Sequence, residues 1–123
     1  MTHKILIADD EPNIVISLEF LMKREGYAVS VARDGPAALE AIRRERPALV
    51  LLDVMMPGMS GFELCQAVRA DESLAGVKIV MLTAKGRDTD LAKGTALGAD
   101  AYVTKPFSTK DLVAQIRQLL GLG

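Results

Sequence analysis

Residues 48–61 read Ala48-Leu49-Val50-Leu51-Leu52-Asp53-Val54-Met55-Met56-Pro57-Gly58-Met59-Ser60-Gly61. Five apolar residues run without polar alternation and end at an acid. Such a run suits a strand covered on both faces rather than one half exposed to water. Pro57-Gly58 breaks the pattern as a turn would. Ser60 then stands three residues before Glu63, the spacing of a capping box that opens a helix. The stretch predicts a buried strand, a short loop and a helix, with an acid at the carboxyl end of the strand.

The same order recurs on both sides. Short apolar runs lie at Lys4–Ala8, Ala28–Ala32, Lys78–Leu82 and Ala101–Val103. Helical spacing fills the intervals. Ile14, Leu18, Leu21 and Met22 form one stripe between Pro12 and Gly26, and Ala38, Leu39 and Ile42 form another after Gly35-Pro36 and before Pro47. Leu64, Cys65 and Val68 continue the helix that Ser60 opens. A fourth helical stretch runs from Asp88 to Leu97, interrupted by Gly94, with Gly98 as its C-cap. A fifth starts at Ser108, with Asp111 three residues on, and carries Leu112, Ile116, Leu119 and Leu120. Strand and helix thus alternate five times. Right-handed crossovers make that an α/β fold, an open parallel sheet with helices on both faces.

Composition bounds the function. The chain has 123 residues, half of them apolar, and a net charge of −1. That is the length of one domain, residues 1–123, able to form its own core without a disulfide or structural metal. The single cysteine, Cys65, forms no internal disulfide and suits a reducing cytoplasm. No basic stripe or tryptophan points to nucleic acid. No apolar run is long enough to cross a bilayer, and the first residues lack the pattern of a signal peptide. The expectation is a soluble intracellular domain with no output domain attached.

Polar residues gather where the strands stop. The first run is followed by Asp9-Asp10-Glu11, the third by Asp53, the fourth by Thr83, and the fifth by Thr104-Lys105-Pro106. Open α/β sheets bind ligands beyond the carboxyl ends of their strands, where the strand order reverses. If the first and third strands are neighbours there, Asp9, Asp10 and Asp53 meet in one pocket. At an effective dielectric of about 20, each pair of carboxylates ~4 Å apart repels by about 4 kcal/mol. Lys105 supplies one positive charge, too little to neutralise three. Either one acid holds a proton or a cation fills the pocket. Hard oxygen donors without a His or Cys cluster favour Mg²⁺. Each residue also has a plainer reading. The acids after the first strand suit the positive end of a helix, Tyr102 suits half-buried packing, Cys65 suits the core face of its helix, and Met55, Met56 and Met59 suit packing within the loop. His3, Lys85, Arg87, Lys110 and Arg117 suit a solvated surface.

Taken together, Leu6-Ile7-Ala8-Asp9-Asp10-Glu11, the run from Leu51 to Gly61, Thr83-Ala84 and Tyr102-Val103-Thr104-Lys105-Pro106-Phe107 resemble the receiver domain of a response regulator, over essentially the whole chain. The resemblance implies a flavodoxin-like (βα)5 fold with strand order 2-1-3-4-5. It implies Asp53 as phosphoacceptor, Asp10 as a direct Mg²⁺ ligand, Asp9 as a ligand mostly through water, and the Met55 carbonyl as the remaining protein ligand. Lys105 would contact a phosphoryl oxygen and Thr83 would move to meet the phosphoryl group, helped by the Ala84 N–H. Tyr102 would be the aromatic switch, and the Lys105-Pro106 bond would be cis. The implied donor is a sensor histidine kinase or a histidine phosphotransferase. The implied output is a downstream protein bound at the surface of the fourth helix, fifth strand and fifth helix, which could also serve a dimer. Two rivals remain open. A phosphohydrolase of the haloacid-dehalogenase type also uses a strand-end Asp with Mg²⁺, but needs an acid where Met55 stands. A pseudo-receiver scaffold would work without phosphorylation, and such scaffolds usually lose an acid or the lysine.

Overall fold

The computed structural model describes residues 3–84 and 98–122. Five strands, β1 (Lys4–Ala8), β2 (Ala28–Ala32), β3 (Leu49–Asp53), β4 (Lys78–Ala84) and β5 (Ala101–Lys105), pair in parallel in the order β2-β1-β3-β4-β5. Helices α1 (Pro12–Arg24), α2 (Gly35–Glu45), α3 (Gly61–Arg69) and a further one at Thr109–Leu119 follow the strands, and a 3-10 turn spans Glu72–Leu74. The flavodoxin-like order is therefore the one expected. The fourth predicted helix, Asp88–Leu97, lies outside the described residues, as do Lys85 and Arg87.

Alternation along the strands divides the core. Leu6, Val50, Leu52, Ile79 and Met81 pack with Ala38, Ile42, Leu64, Cys65 and Val68 of α2 and α3. Ile5, Ile7, Leu49, Leu51, Val80 and Leu82 pack with Val15, Leu18 and Met22 of α1 and with Leu112 and Ile116 of the Thr109–Leu119 helix. Every residue of β3 is buried, as its unbroken apolar run requires. β2 is at the sheet edge and only its last residue, Ala32, is buried. Cys65 is a core residue, and burial pushes its thiol up.

Helix ends follow local chemistry. Pro12 and Pro36 stand in the first turns of α1 and α2, where the missing N–H costs nothing. The capping box of α3 is complete: the Ser60 hydroxyl accepts from Glu63 N and the Glu63 carboxylate accepts from Ser60 N. Ser108 likewise accepts from Asp111 N. α2 ends before Pro47, as expected. The helix stops at Glu45 and Arg46 takes the left-handed conformation at φ 47°. The fourth and fifth strands run further than their apolar cores, through Ala84 and Lys105, so Thr83 and Lys105 end strands rather than begin loops.

Candidate functional site

Register builds the site. Ala8 pairs with Leu52 and Asp53 pairs with Leu82, so β1 and β3 end within one residue of each other and β4 runs two residues further. Asp9 follows directly, held by its N–H donating to the Ala32 carbonyl at 3.1 Å. Ladder positions 5 and 7 of β1, 49 and 51 of β3, and 103 of β5 face α1 and the Thr109–Leu119 helix. Asp9, Asp53 and Lys105 continue those rows past the last buried apolar residue. One carboxylate oxygen from each of Asp9, Asp10 and Asp53 lies within 4.8 Å of the other two. Asp9 is completely buried, Asp53 nearly so, and Asp10 is exposed at the rim.

Lys105 reaches across the sheet to this cluster. Its Nζ lies 3.1 Å from Asp9 Oδ2 and 3.5 Å from Asp53 Oδ1, beyond a cis Lys105-Pro106 bond. Burial alone would lower the lysine's pKa, but the Asp53 and Asp9 carboxylates outweigh it and hold it above the ordinary value. The opposite holds for Asp53. Burial, and then the Asp9 charge, push its carboxyl up to about 6, against the pull of Lys105 and the Met55 N–H. The Met55 N–H donates to Asp53 Oδ1 at 3.3 Å, an Asx-type turn that sequence reading missed although a strand-end Asp is its usual seat. Asp9 makes a second such turn, accepting from Glu11 N at 3.0 Å. The plainer reading of these acids as helix caps is not met, because α1 has no side-chain cap bond and no acid in its first turn, and the Asp9 carboxylate accepts from Glu11 N just ahead of the helix.

The donor set suits a hard divalent cation. Three carboxylates gather around one lysine, and the central acid holds its proton unusually tightly because of its burial and then the Asp9 charge. A cation of two charges would relieve it, and carboxylate oxygens without nitrogen or sulfur favour Mg²⁺ over zinc or copper. The Met55 side chain is exposed, not packed in the loop as expected, because it points to solvent from the turn after β3.

The other predicted residues sit beside the cluster. Thr83 is buried one position beyond Leu82, pairs with Thr104, and belongs to the row that faces α2 and α3. Tyr102 pairs with Met81 in that same row and is half-buried against that core. Ala84 pairs with Lys105. The structure thus gathers Asp9, Asp10, Asp53 and Lys105 directly, and sets Thr83 and Tyr102 together on the opposite side of β4 and β5.

Residues 5–117 match the response regulator receiver domain family. The chain is 48% identical over 120 residues to the DNA-binding response regulator MtrA of Mycolicibacterium smegmatis, covering 98% of this chain and 51% of that protein. It therefore spans about half the length of this curated relative. A response regulator from Chloroflexus aurantiacus superposes with a TM-score of 0.94 at 34% identity, over 98% of this chain and 99% of that one. The receiver domain of the sensor histidine kinase PA1611 from Pseudomonas aeruginosa superposes at 0.90 with 27% identity, over 98% and 99% of the two chains, and its crystal structure has a magnesium ion coordinated in the active site cleft.

Proposed function

The chain belongs to the response regulator receiver domain family, and from that premise we propose that it is a phosphoacceptor switch charged on Asp53. The observation that carries this is the Asp53 carboxylate itself, buried at a strand end, pushed up to about 6, and shared between two acids and a lysine. An Asp53 oxygen attacks the phosphorus of a phosphohistidine on a sensor kinase or phosphotransferase. The new P–O bond forms as the P–N bond breaks, and the imidazole leaves with the bonding pair and takes up a proton. Asp53 attacks as the carboxylate, so its proton must have left first. Lys105, already 3.5 Å from Asp53, contacts and neutralises a phosphoryl oxygen. Asp10, Asp53 and the Met55 carbonyl would hold Mg²⁺, with Asp9 acting mostly through water. Bound there, the ion neutralises phosphoryl oxygen charge in the transition state.

The product carries nearly two negative charges where the Asp53 carboxylate carried one, at the carboxyl end of the central strand. The Thr83 hydroxyl and the Ala84 N–H donate to it. Thr83 and Tyr102 share one row of the sheet, so a displaced Thr83 opens space for the tyrosine ring to turn inward. That biases two packings of the surface around β5 and the Thr109–Leu119 helix, and a downstream protein, or a second copy of the chain, reads the difference. Residues 1–123 act as one receiver unit in the cytoplasm. No helix among the described residues is long and apolar enough to cross a membrane. DNA binding, a property named for a relative about twice as long, is not proposed for this chain. Nor is turnover of external phosphoesters, because Met55 stands where a dehalogenase-type phosphatase needs its second acid.

Incubation with acetyl phosphate and Mg²⁺, read by intact mass, should add one phosphoryl group to wild type and none to Asp53→Asn. Equal labelling of the two proteins would place the acceptor elsewhere. Steady release of phosphate from small esters over many turnovers would replace the switch with a hydrolase.

A further inference from the structure

The loop between β3 and α3 is gripped by two contacts that only glycine permits. At one end Gly61, the first residue of α3, lies on the backbone of Asp53 itself. A Cβ on Gly61 would stand 2.4 Å from the Asp53 carbonyl oxygen and 2.9 Å from Val54 Cα, where ordinary contact begins near 3.4 Å. The Gly61 N–H donates to the Val54 carbonyl at 2.8 Å, and the Ser60–Glu63 capping box fixes the turn that presents it. Two residues before Gly61, Met59 is met by Gly35, the first residue of α2. Its Cβ would stand 2.3 Å from Met59 Cβ and 2.5 Å from the Met59 carbonyl oxygen. The Gly35 N–H donates to the Pro57 carbonyl at 3.2 Å, and Gly58, at φ +81°, comes against the Pro36 ring.

We infer that Gly61 and Gly35 are positioning residues for the phosphoacceptor pocket, their missing side chains setting the register of Asp53 and the Met55 backbone against Asp9 and Asp10. The inference rests on the reading of Asp53 as a phosphoacceptor beside a magnesium site. Two features separate it from simple packing. First, Gly61 begins a helix with no positive φ, so alanine is the better residue there by backbone preference alone. The close approach to Asp53, not local conformation, demands glycine. Second, the atoms that would collide are backbone atoms of the acceptor residue and its neighbour, which no rotamer change can move. Restoring ordinary contact needs a shift of about 1 Å between α3 and the strand end. Mg²⁺ tolerates little departure from octahedral geometry, and a misplacement of about 1 Å at a reacting group can cost about a hundredfold in rate.

The test compares wild type, Gly61→Ala, Gly35→Ala and Val68→Ala. Val68 is fully buried on the same helix two turns away and is a control for lost stability. Mg²⁺ affinity is measured by calorimetry, acetyl phosphate labelling by mass, and the amide shifts of Asp53, Val54 and Met55 by NMR in EDTA. Gly61→Ala should weaken Mg²⁺ binding by about tenfold or more, slow labelling at saturating Mg²⁺, and move those three amides before any metal is added. Val68→Ala should lower the melting temperature but bind Mg²⁺ within about twofold of wild type, as a distant core change does. A folded Gly61→Ala with wild-type affinity and labelling rate overturns the inference. If Gly61→Ala does not fold, Gly35→Ala decides in the same way through its contact with Met59. If Val68→Ala loses affinity as much as the glycine variants, the effect is stability alone and the inference falls. If wild type itself ignores Mg²⁺, the metal site is wrong and this inference goes with it.

Discussion

Replacing Asp53 with asparagine should make the metal-free protein more stable at neutral pH, although it removes the residue on which function turns. The carboxyl titrates near 3.8 when unperturbed and near 6 in the fold. A folded-state value above the unfolded one means the native protein holds this proton more tightly. The favourable contribution is complete below pH ~4 and is lost as pH rises through about 6. A shift of about two units corresponds to about 3 kcal/mol, and solvent at the open rim of the pocket screens this to about 1–2 kcal/mol. Asparagine carries no charge at any of these pH values and leaves Lys105 its shorter contact with Asp9. Urea unfolding followed by circular dichroism, in EDTA at about pH 5 and about pH 7.5, reads the difference. Wild type should lose about 0.5–1 kcal/mol more than the variant between the two conditions, because about half of the contribution is already gone at pH ~5, with unchanged m-values. Mg²⁺ should reverse the ranking, since an ion at about a hundred times its dissociation constant adds about 2.7 kcal/mol to wild type alone. A variant less stable than wild type at pH ~7.5 in EDTA, or one with the same pH slope, would show that burial and the Asp9 charge do not strain Asp53.

Three further outcomes are expected. Lys105→Ala should raise the Asp53 pKa above its present value of about 6 and slow acetyl phosphate labelling while the fold persists; carboxylate ¹³C titration showing an unchanged or lower pKa would contradict the pairing. Tyr27→Phe should leave stability unchanged or raise it by about 1 kcal/mol, because the buried Tyr27 hydroxyl has no hydrogen-bond partner among the described residues; a loss of that size in urea unfolding would reveal a bonded water. Arg69→Ala should cost about 1–3 kcal/mol, since its guanidinium donates to the Gly98 carbonyl at 2.9 Å and to Asp100 at 2.7 Å in a half-buried setting, and hydrogen exchange should quicken at the Ile79 amide that Asp100 also holds.

The sheet was legible because burial on both faces leaves no room for polar residues within a strand. Leu49–Leu52 had to be apolar, so the first acid after them marked both the strand end and the rim of the site. The convergence of Asp9, Asp10 and Asp53 follows from one topological fact, β1 beside β3, which family resemblance supplied and register made exact to the residue. What stayed hidden depends on backbone geometry rather than side-chain type. Arg46 looks like an ordinary surface residue, and only the path from α2 into β3 shows that it must take a left-handed turn. The Met55 N–H that steadies Asp53 belongs to a backbone whose residue name carries no signal.

Gly35 and Gly61 show the difference most sharply. In the sequence both read as helix starters beside Pro36 and Ser60, and that reading is true. Their second property, contact with a backbone too close for a Cβ, exists only once α2 and α3 lie on the sheet. A carboxylate announces its chemistry wherever it stands, whereas a missing side chain has meaning only against what would have filled the space. Side chains therefore write the chemistry of this pocket into the sequence, while its dimensions are set by the packing of two helix ends on one loop. For that reason substitutions at the two glycines should separate having the pocket's residues from having the pocket.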